Sequence, residues 1–406
     1  MNHALLALHA KEMLMCGHLI DRAAMPYVIA EFGREVMEQV AIDEWMGASP
    51  IYTKRMQQLL GFEGDSVETI FKGMQFDIGA PPEFMDFRYT VHDHDHGEFQ
   101  LAHCGALMDV EPMGDEFVHG MCHTIEDPTF DATAAAVNPR AQVRPVHRPP
   151  RIPADRQPHC AWTVVIDGAT EPVQTPDAVH QVQDSMLAAS DLALIDRSDR
   201  SGRFDYSEPL RSDVDFAGLS ASTLRALSAE AALQGHVLAR SFMCALARRG
   251  DESAALRIGA LQLVGAAGVA ARRLRTSFDL DASLASLAEV LRLHPLLWPV
   301  SLAVCTVEVD GDTAMLKIHN AAELVERDGL SWWSLLWKSE SSAAQQAFQA
   351  IAYEVNPLIE VTAVERDKDS LRVSFHLDET GKPVAESEPV LLASFSTGVE
   401  FRWSRR

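Results

Sequence analysis

Apolar residues recur near the helical period through the first sixty positions. Leu5, Leu8, Met15 and Leu19 are followed by Ile29, Phe32, Met37 and Val40, which predicts a helical lead. The pattern then changes to alternation. Phe87, Tyr89 and Val91, and next Phe99, Leu101 and His103, predict two strands turning at His96-Gly97. A helix is predicted from Asp115 to Ala136, kinked or broken at Pro128. Two more strands are predicted, Val143 to His147 and Ala161 to Asp167. The second half repeats this order. An Ala- and Leu-rich helical run from Ser220 to Leu293 is broken at Gly250-Asp251, and its longest apolar piece, Ala260 to Ala271, reads as a buried helix too short to span a bilayer. Val307 and Val309, a turn at Asp310-Gly311-Asp312, and Met315 to Ile318 give a hairpin. A helix from Trp332 to Tyr353 follows, then strands Ile359 to Val364 and Leu371 to Leu377.

The two halves match residue by residue at a constant offset. Gly17-His18 returns as Gly235-His236 (235 − 17 = 218), Glu12 as Glu230, Arg22 as Arg240 and Met25 as Met243. Lys54-Arg55-Met56 returns as Arg272-Arg273-Leu274, and Val137-Asn138-Pro139 as Val355-Asn356-Pro357. After a net loss of seven residues, Asp167 and Pro172-Val173 match Asp378 and Pro383-Val384 (378 − 167 = 211). This is a tandem duplication. The expected fold class is α+β, each copy a helical segment plus a four-stranded antiparallel sheet with one central helix. Copy one spans 1–168 and copy two 218–406. Residues 169–217 connect them, with Val179 to Leu194 able to form a helix between the copies. A symmetric dimer is the natural ancestor, so the copies are expected to face each other around a pseudo-two-fold axis.

Composition narrows the function. The 406 residues include 47% hydrophobic ones, enough for a substantial core, and carry 35 Lys+Arg against 58 Asp+Glu, a net charge of −23. So acidic a chain is not expected to bind nucleic acid or an anionic membrane surface. His9, Lys11 and Glu12 interrupt the apolar middle that a secretion signal needs. A cytoplasmic location with six reduced cysteines is therefore expected, as are a small-molecule partner and a possible homodimer.

The chemistry-bearing residues concentrate in copy one. Where it has His119, Cys122, His123, His159 and Cys160, copy two has Trp337, Glu340, Ser341, Ser370 and Leu371. His119 and His123, four apart on the predicted central helix, share a face and could clasp one metal; Glu126 shares that face and Cys122 borders it. A helix with one buried Cys and solvated histidines explains the same residues. Gly120 costs helix propensity but lets a ligand or backbone approach. On regular strands His103 takes the apolar face and Cys104 the opposite one, while Cys160 is on the apolar side, so one sheet face supplies both cysteines only through a bulge. His92, His94 and His96 read as a solvated turn. Asp109, Glu111, Asp115 and Glu116 suit the positive end of the central helix. The proline-rich loop 147–159 carries Arg148, Arg151 and Arg156, whose guanidinium groups could grip a substrate carboxylate.

Copy one thus orders a helical lead, a hairpin ending in Cys104, a helix with Cys122 and Asp127, and a strand opening His-Cys160-Ala-Trp. This order resembles the L-2-amino-thiazoline-4-carboxylate hydrolase-like family and, more distantly, the small-molecule-binding domain named after 4-vinyl reductase. The resemblance implies a small-molecule pocket and hydrolysis of a C–N bond, other than a peptide bond, in a small heterocycle. The long 147–159 loop and the degenerate second copy depart from that pattern. The resulting expectation is a hydrolase of a small carboxylated substrate. In its metal-dependent form His119, His123 and one or more of Cys104, Cys122 and Cys160 hold a divalent ion, zinc foremost and manganese or iron as alternatives, with Glu126 or Asp127 as proton acceptor. In its metal-free form Cys122 is the nucleophile. The alternative is a non-catalytic binding or sensor protein with a structural metal site.

Overall fold

The computed structural model describes residues 1–249, 251–338 and 342–404. Copy one begins with two long helices, α1 (His3–Phe32) and α2 (Arg34–Leu60). Asn2 caps α1 by accepting from the Leu5 N–H, and Gly33, at φ 85°, makes the break between the helices. The short α3 (Val67–Met74), capped by Ser66, leads into β1 (Met85–Val91) and β2 (His96–Cys104). Next come α4 (Gly105–Val110) and α5 (Asp115–His119), a π-helical turn (Gly120–Ile125), and α6 (Glu126–Ala135). β3 (Ala141–His147), β4 (Cys160–Ile166) and the short α7 (Asp177–Val182) complete the copy. The expected disruption of the central helix near Pro128 thus takes the form of a wide turn one residue pair before α6 reaches that proline. Of the stretch 179–194, only the part within α7 is helical.

Copy two repeats the order. Its helices α8 (Ala221–Arg248), α9 (Glu252–Ser277) and α10 (Leu284–Leu293) precede β5 (Val304–Asp310) and β6 (Thr313–His319). Then follow α11 (Trp332–Trp337), α12 (Ala343–Val355), β7 (Ile359–Arg366), β8 (Leu371–Leu377) and α13 (Glu388–Ala393). The strand orders are β1-β2-β4-β3 and β5-β6-β8-β7, antiparallel throughout. Phe99 opposite Trp162 and Leu316 opposite Val373 mark the same register in the two sheets. The α+β tandem duplication is therefore present as expected. Gly250, named above as a helix break, and Glu340 and Ser341, used in matching the copies, lie outside the described residues.

The copies do not sit side by side; their helices interleave. α1 packs on α8 and α9, and α2 packs on α8. The last helix of each copy lies on that copy's second helix and reaches the first helix of the other: α7 contacts α2 and α8, and α13 contacts α9 and α1. These reciprocal contacts are those of a pseudo-two-fold axis. They explain why α1 and α8 are buried on most faces rather than along one stripe. Of the repeated glycines, Gly235 serves this crossing, while Gly17 lets Ile78 of its own copy approach α1. A Cβ at Gly17 would stand 2.3 Å from the Ile78 Cβ, and one at Gly235 2.8 Å from the Ile20 Cδ1. Helix α9 is longer and more apolar than the Ala260 to Ala271 segment suggested: it passes the length and hydropathy test for a membrane span, yet 78% of its apolar window is buried inside the fold.

Candidate ligand cavity

The three sequence-predicted cysteines gather around Glu126, whereas the two histidines are bonded elsewhere. His119 and His123 do stack, with ring centroids 4.6 Å apart. Each is committed to a carbonyl, however: His119 Nδ1 to Asp115 at 2.8 Å and His123 Nε2 to Pro149 at 2.7 Å. Cys122 is buried on the π-helical turn. Cys104 reaches the core through a bulge, the register stepping from Met85↔Cys104 to Phe87↔Leu101. The regular-strand reading, which turned Cys104 away, is corrected by that extra residue. Cys160 is buried too, and the neighbouring His159 is also buried, its Nδ1 accepting the Cys104 N–H at 3.1 Å. Among the described residues, no group of three or more His, Cys, Asp or Glu side chains is arranged to hold a metal ion. Burial, reinforced by the nearby Glu126 charge, pushes the Cys104 thiol up to about 12 and the Cys122 and Cys160 thiols up as well. A metal ligand or nucleophile needs the thiolate, which these surroundings oppose.

The loop arginines are mostly committed elsewhere. Arg148 pairs with Asp127 and lies over the Trp162 ring, 5.8 Å from its centroid. Arg151 grips Glu111 bidentately at 3.0 and 2.7 Å. Arg156 is exposed. These pairs fasten the 147–159 loop to the central helix and to the turn Glu111–Met113. His92, His94 and His96 are exposed and face Glu98, Asp65 with Asp95, and Asp93. That is the solvated turn the sequence favoured.

The space that can take a ligand lies one layer deeper. A cavity of about 520 Å³ opens between α1, α2, β1 and the α5–α6 segment, with Leu392 and Phe395 reaching it from copy two. Its wall is mainly apolar and rich in methionine: Met25, Met37, Met74, Met85, Met113 and Met121. Flexible thioethers of this kind adapt to varied shapes. Gly120 lets the π-helical turn close on α2, since a Cβ there would stand 2.4 Å from the Glu38 Oε1.

A few buried polar groups interrupt the wall. His18, Asp21 and Arg22 project from α1, and Arg22 pairs with Asp21 and, at 3.4 Å, with Asp109. Asp109 is held from copy two as well, accepting the Ser396 hydroxyl at 2.8 Å and the Thr397 N–H at 2.6 Å. This corrects the reading of Asp109 as a partner for the central helix's positive end; Asp115 and Glu116 occupy that first turn. Burial works against Asp109 ionising, but His18 and the Arg22 charge outweigh it and hold the carboxyl below its usual range. Burial drives His18 down despite Asp109, favouring the neutral ring. Asp77, accepting from Tyr52 and from the Gly79 N–H, is nonetheless raised by burial to about 6. Burial raises Glu126 to about 8, with Arg148 partly countering it. Behind the wall, Glu44 is fully buried against Asp21; desolvation and that neighbouring charge push its carboxyl well up.

Copy two has kept part of this set and packs tryptophans against it. At an offset of 218, His236 and Arg240 match His18 and Arg22, while Ala239, Gln262 and Ala344 replace Asp21, Glu44 and Glu126. Arg240 forks onto Asp328 at 3.0 and 2.9 Å. Gln262 donates to the Ile20 carbonyl and accepts from Trp332 Nε1. Trp332 and Trp333, both buried, pack on the His236 ring. Sequence reading noticed His18 and Arg22 only as repeat markers. The replacement of Asp21 and Glu44 at equivalent positions was the available signal that α1 and α2 differ in role from their copies. Compared with protein-family models, with curated proteins and with solved structures, the chain matches none.

Proposed function

We propose that the chain binds a small, largely apolar molecule in the copy-one cavity, with copy two as its structural mate. One contrast carries the reading. Copy one has a cavity of ligand size, walled by apolar side chains and a few buried polar groups, whereas in copy two buried Trp332 and Trp333 pack on His236, the counterpart of the lining residue His18. Titration with N-phenyl-1-naphthylamine, a neutral apolar fluorophore, tests it. Its emission is expected to rise on binding, and the cavity-filling variant Ala41→Phe is expected to abolish the rise while the protein stays folded by circular dichroism. No rise, or a rise that survives Ala41→Phe, would contradict the proposal.

A hydrolytic reading is the second one, and Glu126 favours it. A carboxyl held protonated near neutral pH beside an apolar wall suits a general acid. In a C–N hydrolysis it would give its proton to the departing nitrogen as water adds to carbon, and regain one from that water. The expected thiolate–imidazole metal set gains no support from thiols held protonated and histidines bonded to carbonyls, and no step is routed through a metal. Cys122, held as a thiol, is not the favoured nucleophile. The arginine clamp on a carboxylate likewise draws no support from guanidinium groups already paired with Asp127 and Glu111.

A further inference from the structure

The cavity wall carries more acidic side chains than cationic ones. Among the described residues, the buried carboxylate oxygens that no donor reaches are Asp21 Oδ1, Glu44 Oε1 and Oε2, and Glu126 Oε2. Asp21 and Glu126 line the cavity, and Glu44 stands directly behind Asp21. Asp21 is only 4% exposed. Leaving a buried acceptor without a partner costs about 1–3 kcal/mol, more for a charged one, so the arrangement favours a guest that brings N–H groups.

The charges agree. Among the described lining residues the one guanidinium or ammonium is Arg22, and it is already shared by Asp21, Asp109 and the Met121 sulfur, 3.8 Å away. Glu38, also on the wall, accepts from Arg34 at 2.9 Å. An entering carboxylate would meet several carboxyls, and the unpartnered ring nitrogen it could reach is His18 Nε2. An entering ammonium would meet unpartnered acceptors, in a setting where charged hydrogen bonds are strong.

Building on the cavity reading above, we infer that the ligand is a primary amine on an apolar body. Its ammonium head meets Glu126 Oε2, whose carboxyl gives up its proton as the ammonium binds, and Asp21 lies on the same wall. Its body lies along Met25, Ile29, Met37, Phe87, Met121 and Phe130. Copy two, with Ala239 and Ala344 at the two head-group positions, has no such acceptor pair.

Calorimetric titration of the full chain with octylamine, octanol and octanoate at about pH 7.5, where an alkylamine is cationic, tests the inference. Octylamine is expected to bind about tenfold or more tighter than octanol, with octanoate weakest. In Glu126→Gln the octylamine preference over octanol is expected to shrink to about twofold or less. If the fluorophore binds but octanoate equals or exceeds octylamine, or the amine preference survives Glu126→Gln, the amine assignment is overturned and the cavity reading stands. If neither the fluorophore nor any of the three C8 compounds binds, both fall together.

Discussion

Arg55 of α2 forks onto Glu230 of α8, Nε to Oε2 at 2.8 Å and Nη2 to Oε1 at 2.9 Å. Arg273 of α9 makes the same fork onto Glu12 of α1 at the same two distances. Both partners are displaced by 218 positions, so one ion pair is made twice, each time between copies and each time buried. A contact that recurs with the partners exchanged is what a two-fold interface leaves behind after gene fusion.

Breaking one of these pairs should strand a buried charge. Arg273, whose side chain is 1% exposed, faces a fully buried Glu12 that also accepts from Ser277 and Trp403. Arg273→Met is expected to lower the unfolding free energy by about 3–5 kcal/mol, and the double variant Arg273→Met/Glu12→Leu to recover much of that loss. Urea denaturation of the four proteins in the cycle checks it. A loss for Arg273→Met no larger than for an exposed arginine would contradict the buried pairing.

Glu126 makes a pH-dependent prediction whose sign follows from its raised carboxyl. Around it stand Arg148, Asp127 and Arg22, together with the Cys104, Cys122 and Cys160 thiols. Its ordinary value is 4.5 and burial takes it to about 8. Between those values the folded protein holds a proton that the unfolded chain has released, so this group's contribution falls as pH rises. Glu126→Gln is therefore expected to gain stability over the parent from pH 5 to pH 8, with a limiting slope of about 1.4 kcal/mol per pH unit. Asp77, raised to about 6, acts in both proteins and cancels in the difference. Paired denaturation curves across that range check it, and a flat or declining difference would contradict the unpartnered carboxyl.

The thiols give a third test. Five of the six cysteines are buried and the sixth, Cys305, is half-buried and raised to about 12. Alkylation of the native chain by iodoacetamide at about pH 8 is expected to be slow at every one of them, because the reactive form is the thiolate. All six should react in denaturant. One fast equivalent mapping to Cys122 would restore the covalent reading.

Much of the fold was legible because duplication doubles every weak signal. The eight strands are where the alternation placed them, to within a few residues, and the constant offset matched Glu12 with Glu230 and Arg55 with Arg273, the residues that form the exchanged ion pairs. The site was less legible, for a physical reason. His and Cys stand out in a sequence by rarity, but His92, His94 and His96 are solvated, and Cys104, Cys122 and Cys160 serve as buried apolar groups. The cavity is built from common residues whose importance is positional. Met25, Ile29 and Met37 look like any helix core until α1 and α2 are seen to diverge around empty space. Asp21 and Glu44 look like solvated helix charges until interleaving with copy two buries them. A bulge moved Cys104 across its sheet, which no alternation pattern announces.

The central claim is that the duplicated fold holds one furnished cavity rather than two or none. Equilibrium titration of N-phenyl-1-naphthylamine to saturation measures that number directly. The account predicts one molecule bound per chain, falling to none in Ala41→Phe. Two molecules per chain, or an undiminished single site in Ala41→Phe, would contradict it.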